Sequence, residues 1–594
     1  MKLKLKLTDE DNKRWVLCVY ILLSLIPMLA GIFCIQFYGV NVPYADQWRH
    51  AGTLINGKAS WPSGQEIFSL HHEHRTAASK IISLMLVRLF STWNIKLEMM
   101  VGYAFSGLAY GLLVVSILRQ CGLFKMTSAS VKSLHLGGLS ILASSLLLFS
   151  PVQYENWLWS FQIPWFLVIF CLIAAVFLLD ICFEKESCVA FLLAIICCVV
   201  ASFSLAHGLF IWFACLPMFL KQGLKRRTSV GLFAIWLGSA TITAIVYLAD
   251  YRQPRGHPDP YLIFEKPSLA IDFFLNLTGA AFGRAEIPSL VIGLLLIGAY
   301  VIAIFYCLKS PRRIQNQCLP WISIGLFSII FALITTAGRL GLSSEAAFAP
   351  RYTTVSLLLP ICLINFSRIF LVFQQNRQEY RLYTAGLLFL SGVLFSSLIA
   401  GYTQGFASAK TFSSQRHLGK TCLELYDYIE TQLASDCITN YVYPNLDEAL
   451  TITNQLRQQQ LLKEFPTWNF DARQDFDQDQ GQISNSEVLR TPNGDVLKIS
   501  GWAFSEGHPG MVLLGREAAP ALFTVTEVGK RRRDIAEEFS SDQYLHSGWE
   551  VHVALNELPN SVGFLTVYLY DLEEQKLYKL GQLSLADLRT KAGS

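Results

Sequence analysis

The sequence predicts a polytopic α-helical membrane protein of about eleven spans with a small β-sandwich at its C-terminal end. Composition is the first reason. Of 594 residues, 53% are hydrophobic and 15% charged, with a mean hydropathy of +0.39; soluble domains carry roughly a quarter charged residues. Secondly, the apolar residues arrive in blocks of about twenty, the length that crosses ~30 Å of hydrocarbon. Thirdly, past residue 487 the pattern changes to short strand signals separated by turns, which suits a sandwich. A soluble enzyme, a disordered chain and a secreted disulfide scaffold are excluded. The net charge of +4 comes with no basic stretch interleaved with aromatics, so nucleic acid is not an expected partner. The lipid bilayer is.

The first element follows Lys2, Lys4, Lys6, Lys13 and Arg14, and runs apolar from Trp15 to about Phe37. It is too long for a signal-peptide core, so it reads as an uncleaved span with a cytoplasmic N-terminus. Further spans are expected near 97–118, 134–150, 163–181, 188–205, 207–221, 229–249, 287–308, 319–337, 352–373 and 382–401. The pair 188–205 and 207–221 is short and joined at His207-Gly208, so two half-length spans and one re-entrant hairpin are both open. Alternate connections carry Arg119, Lys125 and Lys132; Lys185; Lys221, Lys225, Arg226 and Arg227; Lys309, Arg312 and Arg313; and Arg377 and Arg381. These connections hold about 18 Lys and Arg in roughly 60 residues, against about 12 in twice that length on the other side. The bias puts them in the cytoplasm, and an odd number of spans puts everything after Tyr402 outside.

The expected division is therefore a transmembrane domain over 1–403, an extracytoplasmic helical segment over 404–472, a linker over 473–486 and a β-sandwich over 487–594. The helical segment holds Cys422 and Cys437, the two cysteines this topology places in an oxidising compartment; a disulfide and two free thiols are both open. The remaining twelve cysteines lie in or beside apolar segments, where a thiol is a small hydrophobe. Asp475, Asp477 and Asp479 imitate a calcium loop, but Gln480 and Ser486 stand where Gly and Glu belong, so a solvated linker is expected. The strand candidates include a hairpin around Asn493-Gly494, and no catalytic or metal cluster stands out among them.

Chemistry concentrates in the outer connections. The first, 38–96, holds NVPYADQWRH at 41–50, SLHHEHR at 69–75 and an expected interfacial helix at 75–91, with Lys80 and Arg88 on one face and Ile81, Leu84, Met85 and Leu89 elsewhere. A second interfacial helix is expected over Ser268 to Phe282. PVQYENWLWSFQIPW places Trp157, Trp159 and Trp165 at aromatic-belt depth. Asp46 and Glu73 are acids able to take a proton from an acceptor hydroxyl as it attacks an activated sugar carbon. Arg75, Arg284, Arg339 and Arg351, all expected on the same side, can hold a leaving phosphate bidentately. The bland readings stand beside these. Asp46 is solvated, Arg339 and Arg351 are interfacial anchors, and Glu155 positions the aromatic belt. HHEHR is not the HExxH zinc pattern, because the second His falls at Thr76.

An acid in a long first outer loop, an interfacial helix after it and a soluble domain after about eleven spans resemble the GT-C superfamily of glycosyltransferases. DQW at 46–48, HHEHR at 71–75, YENWLWSFQ at 154–162 and AGRLGLSSEAAFAPRYTTVS at 337–356 resemble a bacterial GT-C-like group. GWAF at 501–504 and HSGWEV at 546–551 resemble the β-domain such proteins often carry. The resemblance implies inverting transfer of a sugar from a polyprenyl-phosphate donor to a glycan, lipid or protein acceptor, at the outer face of the bacterial inner membrane. It implies Asp46 as general base, with Glu73 sharing the site. Tyr44, Trp48, His72, His74 and Glu155 would position the acceptor or the base, and the four arginines would bind donor phosphate. Adjacent acids are usual in the superfamily, whereas Gln47 follows Asp46 here, which leaves a divalent metal open and no cofactor assigned. The rival readings are a flippase or transporter of lipid-linked glycans and a non-catalytic envelope scaffold.

Overall fold

A computed structural model describes residues 9–124, 130–221, 227–251, 258–283, 285–373, 378–429, 431–462, 480–492, 494–505, 510–516, 521–558, 562–572 and 576–593. Arg284, Asn493 and the aspartates of the expected linker lie outside them. The principal helices are α1 (Asp9–Tyr38), α2 (Gln47–Ala59), α3 (Ala77–Phe90), α4 (Ile95–Gln120), α5 (Val131–Leu148), α6 (Ile163–Lys185), α7 (Cys188–Ser202) and α8 (Arg227–Leu248). They continue as α9 (Pro267–Gly279), α10 (Glu286–Lys309), α11 (Arg312–Arg339), α12 (Leu358–Phe373), α13 (Gln378–Glu424), α14 (Thr431–Tyr441) and α15 (Leu446–Gln458). Among the described residues, eight helical stretches are long and apolar enough to cross a membrane. The chain is a polytopic α-helical membrane protein with a β-sandwich at its C-terminal end. It divides into two compact units: Met1–Gly39 with Asn56–Phe412, and Val40–Ile55 with Ser413–Ser594.

In the first unit, side-chain oxygens of Asn94, Ser130 and Ser187 accept from the first-turn amides of α4, α5 and α7, which fixes where these helices begin. Lipid tails are as apolar as leucine, so helices associate there through close packing rather than through water. Gly31 of α1 leaves room for the Tyr103 ring, and Gly138 of α5 for Tyr20. The crossing of α9 and α10 is closer still. A Cβ on Gly279 would strike the Ser289 carbonyl, and one on Gly293 the Leu275 carbonyl. The segment expected as a second interfacial helix thus buries Phe273, Leu275 and Leu277 and packs against a neighbouring span.

Both ends of α6 are polar. At its C-terminal end Asp180 pairs with Lys221 at 2.5 Å and Arg119 at 3.7 Å, and Glu184 with Arg119 at 2.5 Å. The segment leading into its other end, Tyr154 to Trp165, departs from expectation. Trp157, Trp159 and Trp165 are buried: Trp157 meets Tyr103 edge-on, and Trp165 packs on His207, Phe331 and Tyr352. These aromatics fill the inside of the bundle instead of forming a belt around it. Neither does α3 turn its cations to the headgroups. Lys80 is buried, and its Nζ donates to the Glu66 carbonyl at 3.2 Å and to Ser69 Oγ at 2.8 Å. Burial lowers its pKa to about 8. Arg88 donates to the Gly57 carbonyl and lies 4.6 Å over the Trp61 ring. Met85, Leu89 and Phe90 face outward, as expected where the outer surface of a helix meets lipid.

Among the described residues of the second unit, seven strands form the sandwich: β1 (Gly481–Thr491), β2 (Gly494–Ala503), β3 (Gly510–Arg516), β4 (Ala521–Glu527), β5 (Gly548–Ala554), β6 (Phe564–Asp571) and β7 (Lys576–Ser584). One antiparallel sheet has the order β1-β2-β5 and the other β4-β3-β6-β7. Between them lie Leu497, Ile499, Val512, Leu514, Trp549, Val567 and Leu569. The first strand starts inside the stretch expected as linker, because Gly481, Gln482 and Ile483 pair with Ala503, Trp502 and Gly501. The expected helical segment is likewise continuous with the stretch expected as the last span, since α13 runs 47 residues without a break. Cys422 on α13 and Cys437 on α14 form a disulfide. Closing that loop constrains the unfolded chain by about 3 kcal/mol.

Gly293→Leu should force α9 and α10 apart and leave less folded protein in the membrane. Thermal unfolding in detergent is expected to shift down by at least as much as an overpacked core costs, about 1–3 kcal/mol.

Candidate functional site

Three polar constellations emerge, two in the first unit and one in the second. The first is built on a tight turn. His71 and His74 exchange backbone hydrogen bonds at 2.8 and 2.9 Å, which leaves His72 and Glu73 at the tip. His72 holds φ at +52°, a conformation that costs a non-glycine residue of order 1 kcal/mol and marks turns of functional interest. The Glu73 carboxylate pairs with Arg339 at the C-terminal end of α11, and the Tyr247 hydroxyl donates to the Glu73 carbonyl at 2.8 Å. His74 Nδ1 accepts from the Ala206 amide at 3.2 Å. The proton of the neutral ring therefore sits on Nε2, which is 3.5 Å from Glu73. Burial pushes the His74 pKa down from 6.5 to about 4; Arg339, His71 and His72 push the same way, against Glu73.

The second constellation centres on Arg351, in the helix Pro350–Ser356. Its guanidinium donates to Glu155 at 2.8 Å. Asn156 braces the same stretch, donating to the Arg351 carbonyl at 2.9 Å and to Thr354 Oγ1 at 2.6 Å; Thr354 in turn donates to Gln153 at 2.7 Å. Buried Tyr352 engages both Arg339 and Arg351. Glu155, Arg351, Tyr352, Arg339, Glu73 and His74 thus form one connected polar run. It lies at the end of the bundle where α11 stops and α6 is about to start.

Arg75 plays a different part from the expected one. Its guanidinium donates to the carbonyls of Phe68 and Tyr247, each at 2.7 Å, and to that of Ala249. The carbonyls of Tyr247 and Ala249 are ones that the end of α8 leaves without intrahelical partners, and that of Phe68 belongs to the C-cap residue of the short helix Gly64–Ile67. Arg75 therefore closes a helix terminus and ties it to the segment between α2 and α3. Where phosphate binding was expected of Arg75, its Nε, Nη1 and Nη2 each donate to a backbone carbonyl.

Asp46, Tyr44 and Trp48 belong to the second unit. Ala45, at φ +47°, donates its amide to the Val442 carbonyl at 2.8 Å. Asp46 follows and stands immediately ahead of α2, where an N-cap residue would stand. Tyr44 lies under the Arg416 guanidinium, 3.5 Å from the ring centroid. Trp48 is buried, donates to the Pro43 carbonyl at 3.1 Å and packs beside Tyr443. Arg49 hydrogen-bonds Tyr443, whose hydroxyl is 3.0 Å from Glu448. Tyr247, Arg416 and Tyr443 were not among the sequence candidates. Nothing in local pattern marks them, because each meets its partner from a distant part of the chain.

These features define a multi-pass membrane protein with an arginine-rich polar run at one end of its helix bundle. No family model matches the chain, and no curated protein does. Among solved structures it is similar to the archaeal oligosaccharyltransferase AglB from Archaeoglobus fulgidus, determined with an inhibitory peptide and a dolichol-phosphate. The identity is 12% and the TM-score 0.36, over 69% of this chain and 58% of that one. The chain therefore spans less than two thirds of that protein's length.

The depressed pKa of His74 carries a sign. The contribution is whole above pH 6.5 and is lost as pH falls toward 4, because the unfolded ring takes up a proton that the folded ring refuses. His74→Gln should flatten acid destabilisation of the membrane unit across that window, by at most about 3 kcal/mol. The side chain keeps 23% of its surface accessible, so water relieves part of the penalty. An unchanged acid-unfolding curve would remove His74 from this role.

Proposed function

We propose that this chain is a GT-C-type membrane glycosyltransferase. It moves a sugar from a polyprenyl-phosphate donor to a glycan, lipid or protein acceptor of the cell envelope. On this reading it works at the outer face of a bacterial inner membrane, with its N-terminus in the cytoplasm and its sandwich outside. The observation that supports this best is the polar run in which Arg339 and Arg351 share Tyr352 while each is paired with a carboxylate from another segment. A planar guanidinium suits phosphate because it presents parallel donors. Held by Glu73 and Glu155, the two arginines are oriented before any ligand arrives.

The chemistry then follows. Asp46 removes the proton from the acceptor hydroxyl as its oxygen attacks the anomeric carbon. The bond from that carbon to the donor phosphate breaks, its electron pair stays with the phosphate oxygen, and Arg339 and Arg351 stabilise the charge. Inversion follows from a single displacement. His74, neutral with its Nε2 proton toward Glu73, keeps that carboxylate facing Arg339. His72, Tyr44 and Trp48 help to position the acceptor and the base.

Two measurements in proteoliposomes with a polyprenyl-phosphate sugar test this reading. Asp46→Asn should lower kcat by about 10²- to 10⁴-fold, the contribution of a general base, with the protein folded. Arg351→Lys keeps the charge but loses the fork, and should raise the donor KM by about tenfold. Transfer at the parent rate by Asp46→Asn would dismiss the assigned base. Lipid translocation without a covalent product would favour a flippase.

A further inference from the structure

The segment that carries Asp46 belongs to the C-terminal unit although it is read from the first outer loop. What holds it there is a specific construction on α13 and α14. Arg416, Gly419 and Cys422 stand three residues apart on α13, a spacing that keeps them on neighbouring faces of a helix. Arg416, only 4% exposed, covers the ring of Tyr44. Cys422 is bonded to Cys437 on α14, whose sulfur also lies 3.8 Å from the Leu418 carbonyl. Between these two, Gly419 permits unusually close approach. A Cβ there would stand 2.8 Å from Val442 Cγ2 and 2.9 Å from the Tyr441 carbonyl oxygen. Val442 is the residue whose carbonyl receives the Ala45 amide.

We infer that α13 and the end of α14 form a disulfide-stapled clamp that positions the catalytic aspartate, with Arg416 and Gly419 as positioning residues. The inference rests on the reading of Asp46 as general base. The clamp grips the residues on the N-terminal side of Asp46 twice: by the Tyr44 ring, through Arg416, and by the Ala45 amide, through Val442. The staple and the glycine contact make those two grips one rigid piece. This matters because Ala45 sits in the left-handed region, which an alanine leaves unless its surroundings hold it. A turn that relaxes from φ +47° re-aims the residue after it, and an ångström of misplacement costs a general base about a hundredfold in rate. Neither Arg416 nor Gly419 touches substrate on this reading; both act through the turn.

The test uses the full-length protein in nanodiscs and reads hydrogen exchange and kinetics together. Gly419→Val should push Val442 away, raise amide exchange over residues 42–50 by about tenfold, and lower kcat by about a hundredfold with little change in the donor KM. Arg416→Gln should do the same more weakly, and Arg416→Lys should restore part of the rate. Arg416→Gln also serves if the glycine variant fails to fold. Gly529→Ala, where a Cβ meets nothing within 4 Å, should change neither readout. Exchange over 42–50 that stays at the parent level in folded Gly419→Val and Arg416→Gln overturns the clamp. Full transfer by Asp46→Asn instead overturns the base assignment, and the exchange result still decides whether the turn is held from α13.

Discussion

A charge inside a membrane bundle must have a partner, and that requirement organises the first unit. Desolvating an ion costs several kcal/mol, so a cation buried there calls for a partner. The protein meets the requirement in two ways. Lys80, Arg88 and Arg75 are satisfied largely by backbone carbonyls, and Arg368 by Asn365, Gln120 and Cys121. Arg339 and Arg351 are satisfied by the carboxylates of Glu73 and Glu155. Carbonyl partners cannot leave without unravelling a helix end or a turn. A carboxylate on a side chain can rotate away. The distinction separates arginines that hold the fold together from arginines able to exchange one anion for another.

Much of the fold was legible in the sequence because its causes are local. Apolar runs of membrane length, serine and asparagine caps, and strands punctuated by turns all declare themselves within a window of twenty residues. The misreadings share a cause. A window shows that Trp157, Trp159 and Trp165 cluster, but not whether they face lipid or the Tyr103 and Tyr352 rings. It shows Lys80 and Arg88 on one stripe of α3, but not that Glu66, Ser69 and Gly57 supply carbonyls to that stripe. The start of β1 was missed because Gly481 and Gln482 look like linker until Ala503 and Trp502 are seen to pair alongside.

The candidate site was legible in its residue types and less so in its roles. Glu73, His74, Arg339, Glu155 and Arg351 were all singled out, and they meet in one polar run. Arg75 was singled out for the same reason and does something else, since a helix end and a phosphate both present oxygens to a guanidinium. Tyr352 and Tyr247 carry no signal of their own; they matter only because of what folds against them. The same holds for Gly419, whose importance lies wholly in a backbone that passes too close for any other side chain.

The composition of the second unit also sets an order of events during biosynthesis. Val40–Ile55 leaves the ribosome early, yet the carbonyl of Val442 and the guanidinium of Arg416 are made only after the helices in between. At about 5–20 residues per second, the early strip waits roughly twenty to eighty seconds for its permanent neighbours. A ribosome that stalls anywhere in that interval releases a bundle whose aspartate-bearing turn has nothing to brace it. A truncated chain therefore carries that turn without the two contacts that hold it.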